Sequence, residues 1–244
     1  MKIFIDSANL AEIKKYKEMG LCQGVTTNPT ICLKCGVKGG MEQIKERVVE
    51  IAKIIDPYPV SAEVTSDNIY EILHQAKQYS QWASNIAIKV TITDREGKGL
   101  LPVIYQLTKE GISVNVTAIL TFNQAILAAR ALKSGYDRAE RKPRYGFISI
   151  FGGRISEEQG VEQALRVIKN TREWLDFHNY KKVEIIVGSV RSQENVELWA
   201  RSGAHILTIP PDVLEKCFLS ARTKETVSQF LNDAKKAMEE LEGK

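Results

Sequence analysis

The sequence lacks the segments that direct a chain through a membrane or anchor it there. Its first residues, MKIFIDSAN, contain no apolar core of about 7–15 residues, which a signal peptide requires. No run approaches the roughly 18 consecutive apolar residues of a membrane span. We therefore expect a soluble cytoplasmic protein with no membrane partner.

Cysteine and histidine are scarce. Four cysteines and three histidines in 244 residues are too few for a disulfide framework and suit a reducing compartment. Cys32 and Cys35 form one C-x-x-C motif, but a zinc site needs a second pair or nearby histidines. We expect neither a metal nor a cofactor, and a redox role for this cysteine pair is the weaker alternative.

Charge of one sign is not concentrated in any segment. The net charge is +4, with 34 basic and 30 acidic residues. They are spread along the chain, whereas a nucleic-acid-binding arm would need a basic block. We expect no nucleic-acid partner. With 43% hydrophobic and 26% charged residues, the composition is that of an ordinary globular protein.

Short apolar runs rich in Ile, Val and Thr recur along the chain and predict eight strands. They span residues 2–5, 24–27, 60–64, 86–90, 113–117, 146–150, 183–187 and 205–209. Few of them alternate polar with apolar residues, and nearly continuous apolar runs are typical of parallel strands that are covered on both faces.

Segments with helical periodicity separate the strands. They span residues 9–19, 41–55, 67–79, 99–110, 123–132, 157–177, 193–202 and 211–217, with Asp67, Thr121 and Ser156 as expected N-caps. Residues 133–144, which are polar and basic, predict an inserted loop. Residues 223–244 predict an extra helix with one apolar stripe, which packs on its own barrel or on a neighbouring subunit.

Eight strand–helix units in about 250 residues are typical of a (β/α)8 barrel. The rival is an open doubly wound sheet, which usually has a G-x-G-x-x-G turn after its first strand. Here that turn is Asp-Ser-Ala-Asn, so the pattern favours a closed barrel over residues 1–222, followed by the helix at 223–244.

Candidate site residues, all polar except Phe151, lie at or just past the ends of the predicted strands, where such barrels have their active sites. In strand order they are Asp6, Asn28, Glu63, Lys89, Asn115 with Thr117, Ser149 with Phe151 and Arg154, Ser189 with Arg191, and Thr208. Each has a structural explanation alone: Asp6 as a helix cap, Asn28 as a turn residue, or Glu63 and Lys89 as a buried ion pair. Together they indicate an active site, because unused charge in a barrel is costly to bury.

Lys89 is the central candidate, because it lies between apolar neighbours in Ile-Ala-Ile-Lys-Val. Burial disfavours a charged ammonium, and a neutral amine is the form that attacks a carbonyl. The alternative is a surface lysine, which is difficult to place in the middle of a barrel strand. Arg154, Ser189 and Arg191 form a second group that suits a tetrahedral oxyanion, and Gly152-Gly153 allows close backbone approach.

These residues resemble the family of small transaldolases and fructose-6-phosphate aldolases over almost the whole chain, from Met1 to about Phe230. The resemblance rests on FIDSAN at residues 4–9, GVTTNPT at 24–30, IKV at 88–90, NVT at 115–117, FGGR at 151–154 and SVR at 189–191. It implies a homo-oligomer, a pentamer or a decamer, that acts on sugar phosphates without a cofactor.

The resemblance also implies a role for each residue. Lys89 would form the Schiff base, and Glu63 and Thr117 would position a water that shuttles protons. Asp6, Asn28 and Asn115 would hold substrate hydroxyls and the carbinolamine oxygen, and Ser149 would contact the dihydroxyacetone part. Arg154, Ser189 and Arg191 would bind the phosphate.

Two positions separate the branches of the family. Glu63 and Phe151 resemble the transaldolases, whereas the aldolases have Gln and Tyr there. Three residues differ from the common family pattern, namely Ile150, Gly188 and Pro211. The expected activity is transaldolase, a pentose phosphate pathway transfer. The alternatives are fructose-6-phosphate aldolase, a transaldolase for another anionic sugar such as a sulfonated one, and a non-catalytic sugar-phosphate binder.

Overall fold

Eight parallel strands close into a barrel in a computed structural model of the chain, which describes residues 1–243. The strands are β1 (Lys2–Asp6), β2 (Val25–Thr26), β3 (Val60–Glu63), β4 (Ile86–Thr91), β5 (Val114–Ile119), β6 (Gly146–Phe151), β7 (Glu184–Gly188) and β8 (Ile206–Ile209). Each pairs with the next, and β8 pairs with β1. The eight predicted strands and the closed barrel are confirmed, and every strand end lies within two residues of its expected place.

The apolar character of the strands follows from burial on both faces. All four residues of β8 and five of the six in β4 are buried, because the helices cover the outer face and the opposite strands fill the interior. A polar residue in such a strand is therefore either paired within the barrel or located at its end.

The helices are α1 (Leu10–Glu18), α2 (Pro29–Lys34), α3 (Met41–Ile55), α4 (Ile69–Tyr79), α5 (Leu101–Lys109), α6 (Phe122–Arg138), α7 (Gly152–Gln159), α8 (Val161–Phe177), α9 (Gln193–Ala200), α10 (Pro211–Lys216) and α11 (Ala221–Leu241). Thr121 caps α6 in a capping box with Gln124, as expected. Asp67 is not a cap, since Asn68 caps α4 and Asp67 pairs with Arg95.

The region predicted as one helix over residues 157–177 is two helices, and this prediction was wrong. Ser156 lies inside α7, not at an N-cap. The break is at Gly160, whose φ of +89° ends α7, and a left-handed backbone at that position favours glycine. Because α7 begins immediately after β6, its N-terminus lies at the barrel opening.

The polar segment at residues 133–144 was expected to be a loop, but α6 continues through Arg138. Lys133 pairs with Asp137 one helical turn away. Gly135 is buried in close contact with the backbone of α5, since an added Cβ would lie 2.7 Å from the Tyr105 carbonyl oxygen. Its polar residues thus form the solvent side of a packed helix, and only residues beyond Arg138 form a loop.

The last helix, α11, begins at Ala221 and has no buried residue. Its expected apolar stripe is present, and Val227, Phe230 and Leu231 are 50%, 66% and 67% exposed. Packing of this stripe on a neighbouring subunit stays a prediction. In the part of the chain that the structure describes, no helix is both long and apolar enough to cross a membrane.

Candidate active site

A cavity of about 170 Å³ opens at the carboxyl ends of the strands, where the predicted site residues converge. Its inner wall contains Asp6, Asn28, Lys89, Thr117, Ser149 and Phe151, and its rim contains Arg154, Ser189 and Arg191. Glu63 and Asn115 lie directly behind this wall, each in contact with a lining residue. The topology thus brings together residues from seven strand ends.

Lys89 is held at the centre of the cavity by Glu63. The register of β3 and β4 places the two residues side by side, and the Lys89 Nζ lies 2.7 Å from a Glu63 carboxylate oxygen. The lysine side chain is 9% exposed and that of Glu63 is 25% exposed. The alternative that Lys89 is a surface lysine is therefore wrong. The ion pair of Lys89 with Glu63, the other structural explanation, is present. A carboxylate at this distance can also accept the proton that the amine must lose before it attacks a carbonyl.

Asn115 is fully buried and both ends of its amide are used. Its Nδ2 donates to the Ser61 Oγ at 3.0 Å, and its Oδ1 accepts from the Ser149 Oγ at 2.7 Å. These bonds connect strands β3, β5 and β6 beneath the cavity. They fix the amide orientation, so the Ser149 hydroxyl oxygen is presented to the cavity as a hydrogen-bond acceptor.

Thr117 is two residues further along β5, where the pairing with β6 is irregular. The register shifts between Val116 and Ile119, and Ala118 has a φ of +60°. Such a bulge changes the direction of the neighbouring side chain. The Thr117 Oγ1 is buried and has no hydrogen-bond partner among residues 1–243. An unpaired buried hydroxyl costs about 1–3 kcal/mol, so this group is suited to pairing with a bound molecule.

Asp6 lies at the end of β1, on the opposite side of the cavity from Thr117. Burial raises the pKa of its carboxyl above the usual range, whereas the Thr26 hydrogen bond and the Lys89 charge act in the opposite direction. The carboxylate is thus a stronger base than a solvated aspartate. Asp6 is not the cap of α1, because Asn9 has that role.

Asn28, expected as a turn residue or a site residue, caps a helix and also lines the cavity. Its Oδ1 accepts from the Ile31 backbone N–H at 2.8 Å and caps α2, and the residue also lines the cavity. With the Oδ1 committed to the helix, the Nδ2 is the group that can donate to a ligand.

The rim of the cavity is formed where α7 and the segment after β7 come together. Gly153 allows this contact, because an added Cβ would lie only 1.9 Å from the Ser189 carbonyl oxygen. Ser189 itself has a φ of +59°. Arg154 lies in the first turn of α7 with its guanidinium 5.6 Å from the centre of the Phe151 ring. A helix N-terminus with an arginine and a hydroxyl beside it is a favourable environment for an anion.

Arg191 lies on the same rim but is not free. Its guanidinium pairs with the Glu157 carboxylate of α7, and both side chains are about half exposed. A pair of this exposure is worth about 0–1 kcal/mol. A doubly charged anion in the cavity can therefore replace Glu157 as the partner of Arg191.

Three residues of the site, Thr26, Gly188 and Ser61, were not identified as site residues from the sequence, and Thr208 was named only as a strand-end residue without a role. Thr26, Thr208 and Gly188 line the cavity, and Ser61 supports Asn115. Thr26 and Thr208 belong to β2 and β8, the two strands that flank β1. Since both are polar residues within apolar strands, the strand order of a closed barrel would have placed them beside Asp6.

The cysteine pair remains outside the cavity lining. Cys32 is buried and Cys35 is partly buried, and both are free thiols. Burial raises the pKa of the Cys32 thiol, which opposes thiolate reactivity. Among residues 1–243, no group of three or more His, Cys, Asp or Glu is arranged to hold a metal ion.

The sequence is similar to a known enzyme family along almost its whole length. The sequence model of the family described as transaldolase/fructose-6-phosphate aldolase matches residues 3–243. A probable transaldolase of Streptococcus agalactiae serotype V is 37% identical over 233 residues, which cover 96% of this chain and 97% of the relative. A probable transaldolase of Lactiplantibacillus plantarum is 36% identical over 235 residues, covering 96% and 97%.

Solved structures share the architecture at much lower identity. KGPDC from Streptococcus mutans has a TM-score of 0.54 and 13% identity, covering 88% of each chain. A monomeric dihydrodipicolinate synthase variant has a TM-score of 0.58 and 13% identity, covering 86% of this chain and 68% of its own. At this identity the likeness concerns the barrel fold alone.

Proposed function

Since the chain belongs to the transaldolase/fructose-6-phosphate aldolase family, we propose that it is a transaldolase of the pentose phosphate pathway. It would transfer a dihydroxyacetone unit from fructose 6-phosphate or sedoheptulose 7-phosphate to erythrose 4-phosphate or glyceraldehyde 3-phosphate. The observation that carries this proposal is the Lys89 amine, 2.7 Å from Glu63 in a cavity with two arginines on its rim.

The first step is attack of the Lys89 amine on the ketose carbonyl. Glu63 accepts the ammonium proton, which leaves the neutral amine that the attack requires. The carbinolamine oxygen then needs a proton before it leaves as water. Glu63 contacts Lys89, and the unpaired Thr117 hydroxyl lines the same cavity. Together they would position a water that carries this proton.

The second step is cleavage of the bond between C3 and C4. Its electron pair moves into the iminium, which becomes an enamine on Lys89, and the C4 hydroxyl proton moves to a base as the aldehyde forms. Asp6 is suited to this role, because burial raises the pKa of its carboxyl and a base is most effective when its pKa is near the working pH. Asn28 and Ser149 would hold the hydroxyls of the three-carbon unit, with Asn115 fixing the Ser149 hydroxyl from behind the wall.

The phosphate of the donor would lie at the rim, against Arg154, Ser189 and the N-terminus of α7. Arg191 would exchange its Glu157 partner for the phosphate. Both arginines project from the same end of the barrel as Lys89, as binding of a sugar phosphate with its carbonyl at the amine requires. The same groups would also bind a sulfonate, so a transaldolase for another anionic sugar is the close alternative.

Transfer is favoured over simple cleavage by Phe151. Its side chain lies on the cavity wall and has no proton to give to the enamine carbon. An enamine that is not protonated persists until an aldehyde acceptor arrives, whereas protonation and hydrolysis would release free dihydroxyacetone. A fructose-6-phosphate aldolase is the second candidate. Donor turnover with and without an aldehyde acceptor separates the two activities.

Borohydride trapping tests the central claim. Reduction in the presence of fructose 6-phosphate should leave a three-carbon adduct on the peptide that contains Lys89, because the enamine remains bound after cleavage. Lys89→Met is the control, and it should abolish both trapping and turnover. An adduct on a different lysine, or none in the active enzyme, would refute the Schiff-base mechanism at Lys89.

A homo-oligomer is part of the same proposal, either a pentamer or a decamer. It is supported by the exposed apolar stripe of α11, since an exposed apolar face of this kind is typical of a contact surface. A native mass measurement tests it, and a monomeric mass would refute it. We place the reaction in the cytoplasm, in keeping with the four free cysteines.

A further inference from the structure

Two threonine hydroxyl groups, on the strands that flank β1, form a hydrogen-bonded chain that ends at Asp6. Thr26 donates its hydroxyl proton to the Asp6 Oδ1, and the Thr208 hydroxyl lies 2.5 Å from the Thr26 hydroxyl. Thr26 belongs to β2 and Thr208 to β8, which are the two neighbours of β1. Both threonines are buried. The three side chains therefore connect three adjacent strands at the carboxyl end of the barrel.

The direction of the chain follows from the number of hydroxyl protons. A threonine hydroxyl carries one proton and can donate one hydrogen bond. Thr26 uses its proton on Asp6, so the bond between the two threonines must be donated by Thr208. The order of donation is Thr208 to Thr26 to Asp6, and Thr208 is the residue that fixes the orientation of the Thr26 hydroxyl.

We propose that Thr208 is a positioning residue that holds the Asp6 carboxylate, through Thr26, in the orientation needed to accept the C4 hydroxyl proton. This inference rests on the proposed transaldolase function and adds a cavity residue that acts on the base Asp6 through Thr26. Among residues 1–243, the Thr26 bond is the hydrogen bond that fixes the Asp6 carboxylate. An aspartate without it would rotate about its side-chain bonds.

The electrostatic environment of Asp6 shows in which direction its pKa changes when the Thr208 hydroxyl is removed. Lys89 and Lys34 favour its ionised form, Glu63 disfavours it, and burial disfavours it most. The Thr26 hydrogen bond also favours the ionised form, and a second donor behind Thr26 strengthens that bond by polarising it. Removing the Thr208 hydroxyl therefore raises the pKa of Asp6 further, so the acid limb of the rate profile moves to higher pH.

Thr208→Val is the test, since valine keeps the shape and removes the hydroxyl. We expect kcat for fructose 6-phosphate to fall about 10-fold or more. The loss should not exceed the roughly 10²–10⁴-fold that a well-placed general base supplies in total. KM should stay nearly constant. The acid limb of kcat should move up by as much as about 0.7 pH unit, from the strength of a charged hydrogen bond and its cooperativity. Thr208→Ser keeps the hydroxyl and should restore both.

Thr27→Val is the matched control. Thr27 is the buried neighbour of Thr26, but its hydroxyl donates to the Ser61 carbonyl oxygen instead of to Asp6. Its removal should lower stability without moving the acid limb. Thr26→Val combined with Thr208→Val should be little worse than Thr26→Val alone, because residues in one network are not additive.

Three outcomes would overturn the proposal. They are a Thr208→Val enzyme with kcat within about twofold of the parent, a serine variant as impaired as the valine variant, or additive effects of the two valine substitutions. Borohydride trapping of dihydroxyacetone on Lys89 requires no C–C cleavage and should remain normal in Thr208→Val. If Thr208→Val still traps dihydroxyacetone on Lys89 and its kcat has the same pH profile as the parent, only the role of Thr208 is rejected. If the parent enzyme itself shows no trapping, the proposed function is rejected.

Discussion

Replacing Gly153 by alanine is expected to damage phosphate recognition while leaving Schiff-base chemistry intact. The alanine Cβ would lie 1.9 Å from the Ser189 carbonyl oxygen and 2.9 Å from the Ser189 Oγ. The carbonyl belongs to a backbone that cannot rotate away. The N-terminus of α7 and the segment after β7 must therefore move apart, and they carry Arg154 on one side and Ser189 with Arg191 on the other.

The size of the effect follows from that distance. The two segments must separate by about 1.5 Å to lengthen the contact from 1.9 Å to the 3.4 Å of an ordinary van der Waals contact. A misplacement of about 1 Å can cost roughly 10²-fold in rate, so kcat/KM for fructose 6-phosphate should fall by about 10²-fold. Overpacking costs about 1–3 kcal/mol, which lowers Tm by about 2–12 °C in a chain of this size.

The assay compares kcat/KM for fructose 6-phosphate with the rate of borohydride trapping of unphosphorylated dihydroxyacetone on Lys89. The first should fall and the second should hardly change. Gly99→Ala is the control, because nothing lies within 4 Å of a Cβ added there. If Gly153→Ala keeps its phosphorylated donor within about threefold of the parent enzyme, the rim is not the anion site that the mechanism requires.

Further outcomes follow from the same geometry. Replacing Arg154 or Arg191 by leucine should weaken phosphorylated donors by roughly 10- to 150-fold, because a charge-assisted contact is worth about 1.5–3 kcal/mol; equal losses with dihydroxyacetone would contradict this. Glu157→Gln frees Arg191 and should lower KM for phosphorylated donors by up to about fivefold, and a raised KM would show that Glu157 supports the site. Phe151→Tyr should raise the ratio of free dihydroxyacetone to transferred product at fixed acceptor, since a placed hydroxyl can speed proton transfer about 10²–10⁴-fold; an unchanged ratio in a folded variant that still traps on Lys89 would show that position 151 does not decide the reaction type.

The barrel was predictable because its strands are buried on both faces, which makes them nearly continuous apolar runs in the sequence. A strand such as β8, with every residue buried, can only be apolar, and the number of such runs separated by helical segments gave the closed barrel. The pairing of β8 with β1 is not marked by any local sequence feature. It follows from closure of the barrel, which is expected for eight strand–helix units in about 250 residues.

Helix boundaries at the barrel opening were less predictable, because a glycine can either end a helix or lie inside one at a close packing contact. Gly152 and Gly153 were expected only to allow close backbone approach, and they lie in the first turn of α7, where small size is needed for packing against Trp199 and Ser189. Gly160, by contrast, does break the helix, through a positive φ. The composition is the same, and only the tertiary contacts tell these glycines apart.

The site was predictable as a set of strand-end residues, and the ion pair of Glu63 with Lys89 was foreseen, but the other side-chain pairs were not. The location of Lys89, Glu63 and Asn115 followed from the fold, because parallel strands end at the same face of a barrel. The ion pair of Arg191 with Glu157 did not follow from the fold. Glu157 lies in α7, and the positions of strand ends do not predict which helix side chains reach the site. The Thr208 bond to Thr26 likewise depends on β1 lying between β2 and β8.

The barrel interior divides into two layers with different physical character. Toward the amino ends of the strands, Phe4, Ala87, Phe147, Ile186 and Ile206 form a separate apolar cluster, and the Phe4 and Phe147 rings meet edge to face with centroids 5.9 Å apart. Toward the carboxyl ends, the interior carries an ion pair, a buried amide and an unpaired hydroxyl.

Each group of the polar layer costs stability that an apolar residue of the same volume would not. The apolar layer therefore stabilises the barrel on which the polar layer depends. Because the same strands contribute to both layers, the register that packs Phe4 and Phe147 at one end also sets where Asp6 and Ser149 lie at the other. Phe4 and Asp6 are two residues apart on β1, and Phe147 and Ser149 are two residues apart on β6, so all four side chains lie on the inner face. The strand register that builds the fold therefore also sets the spacing of these cavity residues.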